Sequence, residues 1–209
     1  MILFTKWSRI MNFQRKNNLE AKYLGVPLVF EGSYNFDSKS LIPIFETYTQ
    51  ESKFDNFGLN IVGLEVGNAG SSAYSNLEQN FPHNLPQLAD FSDYVLQCAK
   101  EIFLEWGVVS DSPRIGRSWV NRHGQGGWTN WHVHENVDLV ASAYVQYKPG
   151  CGDLFMIDPL EFHWFNYGTS RSNSGTPHAS RVPISANKVI FFAPFIRHAV
   201  EPNKTEHDL

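Results

Sequence analysis

The hydrophobic positions change their period about halfway along the chain, and the predicted elements follow that change. In the first half, apolar residues recur at helical spacing. Leu41, Ile44, Phe45 and Tyr48 follow the i, i+3, i+4, i+7 pattern, with Ser40 placed to cap the start. A longer helix is predicted over about 85–106, where Leu88, Phe91, Val95, Cys98 and Ile102 share one face. Asn84 can cap its start and Gly107 can close its end. A helix with one apolar stripe packs on something flat, most simply the outside of a sheet. Around these helices, residues 1–25 mix aromatics with Lys6, Arg9, Arg15, Lys16 and Lys22 and read as an irregular or weakly helical lead-in. Pro27-Leu28-Val29-Phe30 is a short strand candidate ending at Gly32. Residues 56–84, rich in Gly, Asn and Ser, read as loops around one short strand at 59–66.

From Ile115 onward the helical period gives way to short β-prone runs separated by turn residues. Strands are predicted at 117–121, 138–147, 154–157 and 162–167, and another begins at 197. The breaker Gly124-Gln125-Gly126-Gly127 separates the first of these from a His-x-His segment at 131–136. Val189-Ile190-Phe191-Phe192 is apolar throughout, which predicts a strand buried on both faces. Residues 169–180 are rich in Ser, Gly and Asn and read as a mobile loop, a candidate lid. Helices first and then many short strands point to an α+β protein built on a jelly-roll or barrel-like double sheet. One domain over 1–209 is expected, with 1–110 supporting a β core at 111–209.

Composition sharpens that picture in places. Hydrophobic residues make up 42%, charged residues 18% and aromatics 14%, which describes a globular chain rather than a disordered one. A net charge of -4 and a pI near 6.0 give no electrostatic reason to expect nucleic-acid binding. Cys98 and Cys151 are too few for a disulfide scaffold. No run reaches the roughly 20 apolar residues of a membrane span, and the first residues lack the pattern of a signal peptide. The expected compartment is a reducing cytoplasm. Two-sheet folds with exposed edges often pair, so a homodimer is the assembly to test.

The chemistry concentrates in Trp131-His132-Val133-His134-Glu135-Asn136 and, much later, in Phe195-Ile196-Arg197-His198-Ala199-Val200. Residues two apart in a strand point to the same face, so His132 and His134 can aim into one cavity. About 64 residues separate His134 from His198, room for three or four short strands before a late strand returns beside the early one. A third imidazole arriving there completes a facial set of metal ligands with open positions opposite. Imidazole alone does not choose between iron, zinc, copper and nickel. The alternative is a surface pair or a hydrogen-bonded core pair.

Several further stretches occur in an order that resembles a known group. These are Ser118-Trp119-Val120-Asn121, His132-Val133-His134 and Ala141-Ser142-Ala143-Tyr144. They are followed by Gly152-Asp153-Leu154-Phe155-Met156-Ile157-Asp158-Pro159 and by a late stretch that opens Phe192-Ala193-Pro194, passes through His198-Ala199-Val200 and closes on Pro202-Asn203. In this order, residues 117–147 together with 182–203 resemble the iron(II)/2-oxoglutarate-dependent oxygenase superfamily. Within it they resemble a bacterial and phage-type group related to prolyl hydroxylases. The resemblance implies a double-stranded β-helix, jelly-roll or cupin-like, with N-terminal supporting helices. It also implies Fe(II) as metal, 2-oxoglutarate as cosubstrate and hydroxylation of a substrate C–H bond.

On the same resemblance, His132 and His198 are the two histidine ligands, and His134 stands where most of the superfamily has Asp. The third ligand is then His134, an acidic neighbour (Glu135, Asp138 or Asp158), or no protein group. Glu135 faces away in a regular strand, and the two aspartates need a loop to bring them in. The superfamily also carries an Arg after the distal His that binds the far carboxylate of 2-oxoglutarate. This sequence reads Glu206-His207-Asp208-Leu209 where that strand would continue, so either the chain is truncated or another cation serves: Arg117, Arg181, or Arg197, which should face away because its neighbour His198 points inward. Tyr144 aligns with a position that can hydrogen-bond the same carboxylate. Asn121 and Asn130 could touch cosubstrate or substrate, and Trp119, Trp128 and Trp131 could line a substrate pocket. Each of these has an ordinary turn or core role as its alternative. His123, His163 and His178 stand outside the motifs and read as surface or core residues. Two rival functions stay open: a three-His cupin-type dioxygenase that needs no 2-oxoglutarate, and a jelly-roll binding module whose histidines are vestigial or hold zinc. The substrate could be a small molecule, a peptide side chain or a sugar.

Overall fold

The computed structural model describes residues 27–51, 54–55, 70–73, 81–108, 112–159 and 179–206. Along these residues the chain forms β1 (Val29–Ser33), α1 (Ser38–Glu51), β2 (Phe54–Asp55), β3 (Gly70–Ala73) and α2 (Ala89–Glu105). It continues with β4 (Val120–His123), β5 (Thr129–His132), β6 (Val140–Ala143), β7 (Leu154–Ile157), β8 (Ala179–Val182), β9 (Lys188–Phe192) and β10 (His198–Val200). Pairing is antiparallel throughout, in sheets ordered β1-β9-β6, β5-β10-β7-β8 and β2-β3-β4.

Strand β9 explains the layering. Alternate residues of a strand face opposite sides. Ile190 and Phe192 turn inward and pack with Leu154, Met156 and Val182 of the β7-β8 side. Val189 and Phe191 turn outward and pack with Cys98 and Ile102 of α2 and Leu41 of α1. From Val189 to Phe192 both faces of β9 are therefore buried, as that unbroken apolar run requires. The result is two antiparallel sheets packed inner face to inner face, with the helices covering the outside of β1-β9-β6. This is the expected double-stranded β-helix on helical supports.

The element ends differ from the sequence reading for identifiable reasons. α1 begins at Ser38 rather than after Ser40. Asp37 is the capping residue: its carboxylate accepts the Ser40 N–H at 3.4 Å, and the Ser40 hydroxyl also donates to it. α2 begins at Ala89, not near 85 and not on an Asn84 cap, because two short 3-10 turns precede it, Pro82–Asn84 and Pro86–Leu88. Leu85 lies before Pro86 and is extended (φ -71, ψ 132), since a following proline disfavours the helical region. The other end follows the sequence. Gly107 adopts φ 71, its N–H reaches Leu104 O at 3.0 Å, and the Val108 N–H reaches Phe103 O at 2.7 Å, a Schellman closure.

β7 matches its expected bounds, β4 lies a few residues later than expected, and β6 is shorter than the expected 138–147. The lead-in at 1–25, the strand at 59–66 and the strand at 162–167 lie outside the described residues, as does most of the candidate lid. The last residues of that lid stretch, Ala179 and Ser180, are paired in β8 with Ile157 and Met156. Among the described residues no helix is long and apolar enough to cross a membrane.

Candidate metal centre

The site is built where β5 and β10 lie side by side. His132, the last residue of β5, is the direct cross-strand partner of His198, the first residue of β10. Directly opposed residues hold their side chains close, and here the ring centroids are 4.1 Å apart. A register shift separates this pair from the next, Val200 with Thr129, and such bulges re-aim side chains locally. β5 ends at His132, yet the chain keeps its alternation for two more residues. The His134 N–H bonds to Pro194 O at 3.1 Å, Val133 is turned out to solvent, and Asn136 at φ 59 then bends the chain away. The His134 ring consequently lies 5.0 Å from that of His132 and 5.1 Å from that of His198. One ligand atom from each of the three imidazoles lies within 4.8 Å of the others, the one such potential metal-holding group found among the described residues.

The hydrogen bonds decide which nitrogen faces the centre for two of the three. His132 Nδ1 is 2.7 Å from Asn130 O, and His198 Nδ1 is 2.8 Å from Ile196 O. A carbonyl only accepts, so each Nδ1 carries the proton and each Nε2 presents a lone pair. Burial, with a smaller contribution from the neighbouring His132, pushes the His198 pKa down to about 3 and that of His134 to about 4. Both rings are therefore neutral at pH 7, as metal coordination requires. Phe192 meets the His198 ring edge to face at 4.7 Å and closes the inner side with hydrocarbon. The donor set thus fits a divalent transition metal held by three imidazole nitrogens.

The remaining candidates are distributed around this centre. Glu135, Asp138 and Asp158 are exposed, and none joins the cluster, so the acidic alternatives for a third ligand are not assembled. Tyr144 is buried in the inter-sheet core, where burial pushes its hydroxyl up to about 12 despite a hydrogen bond with Ser142. Asn121 lies exposed on β4, paired with Ser72. Asn130 is committed locally: its Oδ1 accepts the Trp131 N–H at 2.8 Å and its backbone carbonyl braces His132. Trp131 alternates with His132 and so faces away from the imidazoles, where the Arg197 guanidinium sits 5.8 Å over its ring. Trp128 is half-buried just before β5. Of the three tryptophans, Trp119 is the one brought to the site, with its ring 5.7 Å from that of His134.

The candidate cations are placed elsewhere. Arg181 is over half exposed, pairs with Glu201 at 2.7 Å and Asp153 at 3.7 Å, and lies over Phe155 on the outer face of β7-β8. Arg197 is on Trp131, and Arg117 lies over the Phe81 ring at 6.0 Å. His123 is a buried core residue, its Nε2 2.9 Å from Thr129 Oγ1, while His163 and His178 lie outside the described residues.

Sequence reasoning missed three supports of the site. The carbonyl braces on His132 and His198 come from backbone two residues upstream and leave no mark on side-chain identity. Asn203 ties the β4–β5 turn to the segment after β10. Its N–H bonds Gly127 O at 2.9 Å, its amide donates to His123 O at 2.9 Å and its carbonyl accepts the Gly126 N–H at 2.6 Å. The third support is the Ser118–His83 contact beside Trp119, at 2.7 Å.

Comparison with known proteins agrees with this arrangement. Residues 117–208 match the family described as putative 2OG-Fe(II) oxygenase, and over this segment the chain is similar to that family. The fold recurs in a 2OG-Fe(II) oxygenase family oxidoreductase from Burkholderia pseudomallei, at 13% identity and TM-score 0.52 over 85% of this chain and 79% of that one. It recurs in HygX from Streptomyces hygroscopicus with nickel, 2-oxoglutarate and hygromycin B bound, at 16% identity and TM-score 0.52 over 86% and 78%. A Pseudomonas putida prolyl-4-hydroxylase shares it at 10% identity and TM-score 0.53 over 86% and 87%. At these identities the likeness is one of fold. No curated protein sequence matches the chain.

Proposed function

We propose that the protein is an Fe(II)- and 2-oxoglutarate-dependent oxygenase that hydroxylates a small molecule or a peptide side chain. Three imidazoles converging inside the segment that matches the oxygenase family carry this reading. Bound iron, with 2-oxoglutarate and oxygen, supplies the oxidising chemistry: the cosubstrate becomes succinate and carbon dioxide, and one oxygen atom enters a substrate C–H bond. The protein's own residues hold and shield. His132 and His198 present Nε2 while the Asn130 and Ile196 carbonyls retain the Nδ1 protons, which fixes both rings. His134 occupies the third corner. Phe192 keeps water from the inner side of His198.

The test is anaerobic addition of 2-oxoglutarate to iron(II)-loaded protein, followed in the visible range. A charge-transfer band is expected for the native chain, with succinate released after oxygen is admitted. His198→Ala should bind iron at least tenfold more weakly and give no band. Iron uptake without a band or succinate, across varied substrates, overturns the proposal. That result would favour a three-His dioxygenase that binds its substrate directly to the metal. The all-imidazole donor set and the outward placement of Arg181 and Arg197 are the observations on its side. A tightly held, redox-silent zinc would instead favour a binding module.

A further inference from the structure

We propose that Trp119 is the positioning residue for His134, doing for the third corner of the metal site what backbone carbonyls do for the other two. This rests on the metal site proposed above. His132 and His198 each have a ring nitrogen anchored on a carbonyl, at 2.7 and 2.8 Å. The His134 ring has no hydrogen-bond partner among the described residues, and only its backbone is tied, to Pro194 O at 3.1 Å. An imidazole without such an anchor turns about its Cβ–Cγ bond, and ordering it on a metal costs rotational entropy. The Trp119 indole supplies a wall instead, 5.7 Å from the His134 ring at a 42° tilt. With His132 and His198 also around it, the His134 ring is bordered by three other rings.

Core packing does not account for Trp119. The indole is 36% exposed and belongs to neither buried cluster, and its ring contact among the described residues is with a candidate ligand. Its backbone is clamped on both sides. On one side, the Ser118 hydroxyl accepts the His83 N–H at 3.0 Å and lies 2.7 Å from His83 Nδ1. On the other, Val120 enters β4 opposite Ala73. Adjacent Ser and Trp thus act together: the hydroxyl fixes the turn and the indole fixes the imidazole.

Cobalt(II) titration of the full chain tests this, read by binding affinity and by the visible d–d bands. Trp119→Leu is expected to weaken cobalt binding about tenfold and to shift the bands, at the scale typical for residues that orient a ligand. Trp119→Phe, which keeps a ring, should recover affinity to within about threefold of the native value. In a His134→Ala background, Trp119→Leu should add nothing, because the group it positions is gone. Native cobalt affinity and bands in Trp119→Leu, or an undiminished effect in the His134→Ala background, overturn the proposal. Should Trp119→Leu fail to fold, Ser118→Ala takes its place, since it loosens the indole without deleting it; unchanged affinity there is equally fatal. Failure of the native chain to bind cobalt, or native binding by His132→Ala, would mean that the metal site itself is wrongly assigned.

Discussion

Two histidines of this protein are put to different use by their surroundings. His198 is braced on Ile196 O and opens toward a metal site, whereas His123 is sealed in the core against Thr129. Burial lowers the His123 pKa from its ordinary 6.5 to about 4, so the unfolded chain takes up a proton before the folded one does. Stability is therefore undiminished by this group above pH 6.5, declines as pH falls toward 4, and is flat below. The full loss is about 3 kcal/mol. Chemical denaturation at several pH values should show the native chain losing stability over that window by more than His123→Gln does. Parallel curves for the two proteins would mean that His123 is solvated. At this scale the sequence revealed donor types and spacing: His132, His134 and His198 were recognisable, and so was the outward aim of Arg197. It did not reveal that Trp119 reaches the site, because Trp119 comes from a separate segment that the fold sets beside His134.

Among the elements, period and punctuation were reliable where the chain itself sets the geometry. β9 is legible because Val189–Phe192, the part buried on both faces, is apolar throughout, and the α2 C-terminus because Gly107 supplies the left-handed turn. The α2 N-terminus was misplaced because apolar spacing continues through Leu85 and Leu88 while Pro86 forbids helix at the residue before it. The turn into β7 offers a test of the same kind. Gly152 has φ +101, and a Cβ there would collide with the Glu201 carbonyl oxygen. Gly152→Ala should therefore cost about 1–3 kcal/mol, read as a lower denaturation midpoint, with the segment after β10 displaced. A neutral result would mean that the two backbones do not approach so closely.

For the whole molecule, the site is a joint between segments far apart in the chain. β5 and β10 meet only after the β6-β7-β8-β9 excursion, and Asn203 locks the late segment onto the early turn. A metal bound across that joint favours the folded chain by mass action. Saturation at a hundredfold excess over Kd should add about 2.7 kcal/mol, and a chelator should remove it. The melting temperature of native protein should rise with metal and fall with chelator, while His132→Ala responds to neither. Equal responses would place the bound metal elsewhere.

The sequence by itself determined the order of helices and short strands, the double-sheet class and the three imidazoles, since these follow from period, turn chemistry and donor identity. Tertiary structure decided how those donors could be used. It set the cross-strand pairing of His132 with His198 and the carbonyls that choose their tautomers. It turned Arg181 outward and placed the Trp119 indole against His134. The cross-strand pair and the Trp119 contact join residues distant in sequence, and the carbonyl braces depend on the path of the backbone just upstream; side-chain pattern encodes neither.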